Sequence, residues 1–121
     1  MSELEDILRP IWSDEEDLKL KEGIRLYEQK DYNKAIDVLT SLLNTLPTSA
    51  RGPEARAHKH LAFCYEALGQ TPRGLQELKL AVECFPHDEL VSDGQKDRRE
   101  IYELQIEIYL QEHPELKTEN L

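Results

Sequence analysis

Apolar residues recur at helical spacing through the first half of the chain. Between residues 31 and 47 they follow one another at i, i+3, i+6 and i+7, at Ile36, Leu39, Leu42 and Leu43. This spacing places them on one face of a helix. Asp31 can cap the start of that helix with its carboxylate, and Pro47 predicts its end because proline cannot continue a helix.

A second helix is predicted immediately before this one. Leu20, Ile24 and Tyr27 recur at i, i+4 and i+7 within residues 17–30. Ser13 and Glu16 have the spacing of a capping box, in which each side chain accepts a hydrogen bond from a free backbone amide. Since the two helices are separated only by a short turn at residues 30–31, the pattern predicts a helical hairpin.

The hairpin has a counterpart 39 residues further along the chain. The matching pairs are Tyr32 and Thr71, Ala35 and Gly74, Leu39 and Leu78, and Leu42 and Ala81. In the second copy, Gly69 predicts a helix end, Thr71 an N-cap and Pro72 the first helical position. A unit of this kind is nearer to about 34 residues. The surplus therefore falls in residues 48–55, which we expect to form a loop.

Further apolar patterns lie at the two ends of the chain. Near the start, they recur at helical spacing at Leu4, Ile7, Leu8 and Ile11, with Trp12 beside them. So small an apolar face is not stable alone in water. We therefore expect residues 4–12 to lie against an apolar surface of this or a neighbouring chain, for which the candidates are Leu20, Ile24, Tyr27 and Phe63.

Near the end of the chain, residues 97–112 read as one helix with apolar residues on two arcs. The first arc, which we expect to pack on the second hairpin, holds Ile101, Leu104 and Ile108. The second arc holds Tyr102, Ile106, Tyr109 and Leu110. It predicts a possible interface of a twofold homodimer, the commonest oligomer. The alternative is that the N-terminal helix, or Leu116 and Leu121, covers this arc within one chain.

The repeated unit resembles the tetratricopeptide repeat. Its signature residues are matched in the second copy by Leu61, Ala62, Tyr65, Gly69, Gly74, Leu78, Ala81 and Pro86, and in the first by Gly23, Leu26, Tyr32, Ala35, Leu39 and Pro47. Lys19 and His58 stand where the signature has tryptophan. The resemblance implies a single all-α domain with a superhelix of hairpins. Its parts are an apolar extension at 1–12, repeats at 13–47 and 53–87, and a C-terminal packing helix at 93–113.

The resemblance also implies a concave groove that binds a protein or peptide, with no catalysis and no cofactor. The groove positions of the family fall on Leu20, Ile24, Tyr27 and Glu28, and on Arg56, Lys59, Phe63 and Glu66. Leu20 and Ile24 replace the polar pair with which some relatives hold a terminal carboxylate. This favours an apolar or mixed peptide, unless the two side chains pack inside the chain. The alternative function is that of a co-chaperone-like reader of acidic peptide tails, which would use Arg56 and Lys59 with Arg98 or Arg99.

Composition and charge fit this interpretation. A chain of 121 residues is the size of one domain, and 33% of its residues are charged. The formal net charge of −10 disfavours nucleic acid and anionic membranes as partners. No apolar run approaches the roughly 18–20 residues of a membrane span. The acidic start of the chain is unlike a signal peptide. We therefore expect a cytoplasmic protein.

The cysteines and histidines give a weak pattern for metal binding. Cys64 follows His60 by four residues, and Cys84 precedes His87 by three. In the predicted hairpin, however, the two cysteines are separated by roughly 12 Å along the helix axis. That separation is too large for one zinc ion or a disulfide. We expect no metal site. The sequence also contains no nucleophile pattern and no glycine-rich phosphate loop, so an enzyme is not expected.

Overall fold

The computed structural model describes residues 14–45, 51–85 and 93–119, and these ranges form an all-α fold. No strand occurs within them, and no helix in them is long and apolar enough to cross a membrane. The helices are α1 (Asp14–Glu28), α2 (Tyr32–Thr45), α3 (Arg51–Ala67), α4 (Thr71–Glu83), α5 (Asp93–Glu112) and α6 (Glu115–Glu119).

Two helical hairpins repeat with the offset that the sequence predicts. Helices α1 and α3 end 39 residues apart, and α2 and α4 begin 39 residues apart. Within each hairpin the two helices pack on each other. Helix α3 also packs on α1 and α2, and α5 packs on α4. The first helices of the two repeats therefore lie next to each other, and they provide one wall of the site described below.

Both hairpins turn through the same backbone conformation. Lys30 has φ 65° and Gly69 has φ 80°, in the left-handed region. In each turn two backbone amides donate hydrogen bonds back to the preceding helix. In the first turn the N–H of Lys30 donates to Tyr27 O and that of Asp31 to Leu26 O. In the second turn the N–H of Gly69 donates to Glu66 O and that of Gln70 to Tyr65 O. This is the Schellman ending of a helix. Glycine adopts it freely, whereas Lys30 adopts it at a steric cost.

Small residues allow the helices of each hairpin to approach closely. Ala35 is completely buried beside Cys64 and Leu26. At Gly23, an added Cβ would lie 2.5 Å from Leu39 Cδ2. At Gly74 it would lie 3.0 Å from Ala62 O of the same hairpin and would also collide with Tyr109 Oη of α5. The repeat pairs at Leu39 and Leu78, and at Leu42 and Ala81, are at most 1% exposed. The predicted core positions of the repeat are therefore confirmed.

Two predicted helix boundaries are wrong. Residues 51–55 belong to α3, not to a loop, because Gly52 and Pro53 fall in the first turn, where a missing amide hydrogen costs no helical bond. Gln70, not Thr71, is the N-cap of α4, since its carbonyl accepts the Gly74 N–H at 3.1 Å. Helix α5 begins at Asp93, which is the first residue of the C-terminal helix predicted at 93–113.

The face on which α5 packs is also different from the expected one. Tyr102 and Tyr109 are 7% and 4% exposed, and Ile106 packs beside them. Leu110 and, from α6, Leu116 join the same core. Of the proposed dimer interface, Tyr102 and Tyr109 are buried within the chain, whereas Ile106 and Leu110 are only partly buried. Leu116 covers part of it, as the intramolecular alternative predicts.

Some predictions concern residues outside the described ranges. These are the N-terminal segment 4–12, the Ser13 cap, Pro47, Pro86, His87 and Leu121.

Candidate functional site

Helices α3 and α5 enclose a groove with two pockets. The basic pocket has a volume of about 450 Å³ and is lined by Gly52, Pro53, Arg56, Lys59, Phe85, Arg98, Ile101, Tyr102 and Gln105. The aromatic pocket has a volume of about 340 Å³ and is lined by Tyr27, Phe63, Glu66, Leu78, Gln105, Ile108, Tyr109 and Glu112. Because Gln105 lines both pockets, they are neighbours along α5. We call the two together the α3–α5 groove.

The basic pocket concentrates positive charge in an otherwise acidic chain. Arg56, Lys59 and Arg98 line it together, although the net charge of the chain is −10. Lys59 Nζ lies 5.9 Å from the centre of the Tyr102 ring, a distance that allows a cation–π contact. Burial lowers the pKa of Lys59, and the charge of Arg56 lowers it further. An anion in this pocket would counter both effects.

Arg99 points away from this pocket. Its Nε donates to Glu103 Oε1 at 2.7 Å, and its Nη1 donates to the carbonyl oxygens of Val82 and Phe85. Those carbonyls belong to the C-terminal end of α4, where a cation is favourable. Of the two arginines considered for the acidic-tail function, only Arg98 lines the basic pocket.

The aromatic pocket borders a cluster of rings. Tyr27 and Phe63 have ring centres 5.9 Å apart, and His60 lies 6.1 and 5.8 Å from them. Burial lowers the pKa of His60 and raises the pKa of Tyr27. The ring surfaces of Tyr27 and Phe63 are half-buried, so they can still contact a ligand.

The far end of the aromatic pocket is acidic. Glu66 and Glu112 line it, and His113 Nε2 donates to Glu66 Oε2 at 2.7 Å. The Tyr109 hydroxyl donates to Thr71 O at 2.8 Å, and burial, followed by nearby carboxylates, raises its pKa to about 12. Tyr109 is therefore a fixed neutral donor. The groove runs from a basic end to an acidic end.

Gln105 occupies the middle of the groove with an unused acceptor. Within the described part of the chain, its Oε1 is buried and accepts no hydrogen bond. Buried polar atoms almost always have a partner, so an exception calls for an explanation. Gln105 is not among the residues that the sequence patterns indicate. The sequence signal that could have indicated it is a neutral polar residue on the apolar stripe of α5, four residues after Ile101 and three before Ile108.

An apolar stripe runs along the exposed side of α5. Its residues, Ile101, Leu104 and Ile108, are 56%, 54% and 45% exposed. The sequence interpretation placed this arc against the second hairpin, which is wrong because the tyrosine arc packs there instead. Ile101 lines the basic pocket and Ile108 the aromatic pocket. The stripe thus forms one edge of the groove.

The predicted groove residues divide into two groups. Tyr27, Arg56, Lys59, Phe63 and Glu66 line the pockets. Leu20 does not, because it is 1% exposed in the core with Leu39, Leu42, Ala57 and Leu61. Ile24 packs against the same core, and Glu28 is exposed outside both pockets. For Leu20 and Ile24, the alternative of packing inside the chain is the correct one.

Two clusters of the described residues hold possible metal ligands. Donor atoms lie within 4.8 Å of one another in the set Glu54, His58 and Cys84, and in the set Glu66, Glu112 and His113. His58 Nδ1 donates to the buried Glu77 at 2.7 Å, which leaves Nε2 facing Glu54 at 3.9 Å. In the second set, His113 Nε2 already donates to Glu66. In each set the histidine therefore already has a carboxylate partner, Glu77 for His58 and Glu66 for His113.

The cysteines do not form a pair in this fold. Cys64 and Cys84 are both buried, form no disulfide and lie in different core clusters. Burial raises the pKa of Cys64 to about 11, so this thiol stays protonated near neutral pH. The nucleophilic species is the thiolate, which makes Cys64 a core residue and not a reactive one.

Comparison with known proteins agrees with the helical repeat. A family model for the tetratricopeptide repeat matches residues 26–96, which is more than half of the chain. No curated protein and no solved structure matches this chain with significant similarity. The matched range covers the end of α1, all of α2, α3 and α4, and the start of α5. With its two hairpins in register, the chain belongs to the tetratricopeptide repeat family.

Proposed function

We propose that this domain binds a segment of another protein in the α3–α5 groove and has no catalytic role. The observation that carries the proposal is the apolar stripe. Ile101, Leu104 and Ile108 are about half exposed, and Ile101 and Ile108 line the two pockets. Exposed apolar surface beside a groove is typical of an interaction site.

The chemistry of the groove supports binding and not catalysis. Tetratricopeptide repeats are generally protein–protein interaction modules. The aromatic pocket offers the rings of Tyr27 and Phe63, which can contribute a large contact area at low entropic cost. The groove offers cations, a neutral amide and apolar walls, which can recognise a peptide without a reacting group.

A displayed library of random peptides tests the proposal. Peptides are selected on the unmodified protein and then measured against an Ile108→Ser variant and a Leu80→Ser variant. Leu80 is the matched control, since it is 42% exposed on α4 and lines neither pocket, whereas Ile108 is 45% exposed in the groove. We expect the selected peptides to lose about tenfold in affinity for Ile108→Ser, equivalent to about 1.4 kcal/mol, and to keep their affinity for Leu80→Ser.

Failure of this selection would have a clear form. If no peptide is enriched, or if the enriched peptides bind Ile108→Ser as well as the unmodified protein, the groove is not the binding site. A circular dichroism spectrum of each variant verifies that the helices are retained.

A reader of acidic peptide tails is the second candidate. It is favoured by the meeting of Arg56, Lys59 and Arg98 in one pocket. Binding that depends on exposed charges weakens strongly with added salt, whereas apolar binding changes little. The salt dependence of the selected peptides therefore separates the two candidates.

A further inference from the structure

We propose that Glu54, His58 and Cys84 bind a Zn²⁺ ion, or a similar divalent transition-metal ion, at the open end of the second hairpin. One donor atom of each side chain lies within 4.8 Å of the donor atoms of the other two. This metal site goes beyond the proposed function, because it does not depend on what the α3–α5 groove binds.

The second hairpin brings these three ligands together from two helices. Glu54 and His58 are four residues apart on α3, so they lie on the same face of that helix. Cys84 directly follows the last residue of α4. Since α3 and α4 run in opposite directions, the end of α4 lies beside the start of α3. The separation of Cys64 and Cys84 excludes a zinc site that holds both thiols, whereas this cluster requires only Cys84.

A buried carboxylate orients the imidazole of His58. His58 Nδ1 donates to Glu77 Oε2 at 2.7 Å, so Nε2 carries the lone pair of the neutral ring. Nε2 faces Glu54 Oε1 at 3.9 Å. Histidines that bind metals almost always donate their other N–H in this way, often to a carboxylate, which fixes the ring and strengthens it as a ligand. Glu77 is 6% exposed, and no other charged side chain in the described ranges is as deeply buried.

The distances and charges of the cluster suit a four-coordinate zinc ion. Tetrahedral bonds of about 2.0–2.3 Å place two ligand atoms roughly 3.3–3.6 Å apart. The 3.9 Å between His58 Nε2 and Glu54 Oε1 is close to this separation, so small side-chain rotations would close the site. A Cys84 thiolate and the Glu54 carboxylate together balance the two positive charges of the ion. The fourth position remains for water, as in other zinc sites with three protein ligands.

The identity of the ligands favours this cluster over the set of Glu66, Glu112 and His113. In that set His113 Nε2 itself donates to Glu66 at 2.7 Å, so a metal ion would have to displace an ion pair. It also contains no sulfur ligand, whereas thiolate and imidazole together are typical ligands of zinc. The side chain of Glu54 is 35% exposed, which gives an ion access to the proposed site from solvent.

A bound ion would join the start of α3 to the end of α4, where the hairpin has no connecting turn. Arg56 follows Glu54 by two residues and Phe85 directly follows Cys84, and both line the basic pocket. The ion would therefore also fix one wall of that pocket. Because the three ligands come together only in the folded chain, metal binding should stabilise the fold.

Titration with Co²⁺ tests the site directly. The full chain is used without a histidine tag and with its thiols reduced. Cobalt can replace zinc in tetrahedral sites, and a cobalt–thiolate bond gives a charge-transfer absorption band that nitrogen and oxygen ligands do not give. We expect one Co²⁺ per chain to produce this band and Zn²⁺ to remove it by competition. Excess Zn²⁺ should also raise the melting temperature by about 5 °C or more, and a chelator should reverse this shift.

Matched variants connect the absorption band with these residues. Cys84→Ala should abolish the band, whereas Cys64→Ala, which removes the other buried thiol, should retain it. Glu54→Gln should weaken Co²⁺ binding at least about tenfold, whereas Glu83→Gln, which makes the same change at an exposed position of α4, should not. Glu77→Gln should weaken binding about tenfold but retain the band, since Glu77 positions His58 and does not bind the ion.

The outcomes that would overturn the metal site are specific. The site is refuted if Co²⁺ produces no charge-transfer band, or if the band persists in Cys84→Ala or is lost in Cys64→Ala. Circular dichroism shows whether Cys84→Ala still folds. If it does not, Glu54→Gln decides, because this side chain is partly exposed and an unchanged affinity in that variant excludes Glu54 as a ligand. The peptide selection on the groove is independent of all these results, so the two proposals can fail separately.

Discussion

The contact between Gly74 and Tyr109 should decide how firmly α5 is held on the second hairpin. A Cβ at Gly74 would collide with Tyr109 Oη and lie 3.0 Å from Ala62 O. The same hydroxyl donates to Thr71 O at 2.8 Å. Gly74→Ala must therefore displace Tyr109 and break this hydrogen bond.

The expected effect is a balance of three terms. Overpacking costs about 1–3 kcal/mol, and the lost hydrogen bond costs about 1 kcal/mol. Alanine has a higher helix propensity than glycine, and this difference stabilises the folded state by about 1 kcal/mol. The net loss in the free energy of unfolding should be about 1–3 kcal/mol. In a Tyr109→Phe background the hydroxyl is already absent, so the same substitution should cost less than about 1 kcal/mol.

Urea unfolding followed by circular dichroism measures these free energies in a double-mutant cycle. The four proteins are the unmodified chain, Gly74→Ala, Tyr109→Phe and the double variant. We expect a coupling energy of about 1–2 kcal/mol between the two sites. An equal cost of Gly74→Ala in both backgrounds would refute the proposed contact, and so would a stabilising Gly74→Ala in the unmodified chain.

Three more predictions concern the turns, the aromatic cluster and the N-terminal segment. Lys30→Gly should raise the free energy of unfolding by about 1 kcal/mol because φ is 65° there, and Gly69→Ala, at φ 80° with open space around it, should lower it by about as much. Opposite signs in thermal melts test this pair, and equal signs would contradict it. In the folded chain the pKa of His60 is lowered, mainly by burial and also by the charges of Lys59 and Arg56. The hydrogen bond to Arg56 O and the charge of Glu28 raise it by less. As the pH falls below about 6.5, the unfolded chain therefore binds the proton first and the free energy of unfolding decreases. His60→Phe should reduce this pH dependence in urea titrations. An unchanged dependence of the free energy of unfolding on pH would exclude His60 as its cause. Deleting residues 1–12 should increase the binding of an apolar dye or of groove peptides, and no change in either would show that this segment covers no apolar surface.

The hairpins could be predicted from the sequence because their information is local. Helical spacing, the glycine at position 69 and the 39-residue offset each depend on residues close together in the chain. The conformation of Lys30 was not predictable in the same way, since lysine is not a usual residue at a left-handed helix end. It is recognisable only by its alignment with Gly69 in the second repeat.

The packing of α5 could not be predicted because the helix is apolar on two arcs. A helical wheel gives both arcs similar weight and does not say which one faces the protein. The decision depends on the surface of the second hairpin. Gly74 leaves space for the Tyr109 ring, and Thr71 O accepts a hydrogen bond from the Tyr109 hydroxyl. An isoleucine of the other arc, packed in the place of Tyr109, would leave the Thr71 carbonyl without this hydrogen-bond donor.

The groove residues divide for a similar reason. Leu20 and Tyr27 both belong to the apolar face of α1, but Leu20 lies over the closely packed Leu39 and Leu42. Tyr27 lies near the end of α1, beside Phe63 and the open groove. Sequence spacing gives the face of a helix, whereas the degree of burial along that face depends on the neighbouring helices.

The orientation of α5 links the fold to the proposed interaction. Its tyrosine arc completes the core, and this leaves Ile101, Leu104 and Ile108 exposed beside the pockets. A helix that only covers the end of a repeat array needs a polar outer surface. On α5 these apolar side chains are about half exposed, so their replacement should cost the fold little compared with a core substitution. Their presence at the edge of a groove is therefore better explained by binding than by stability.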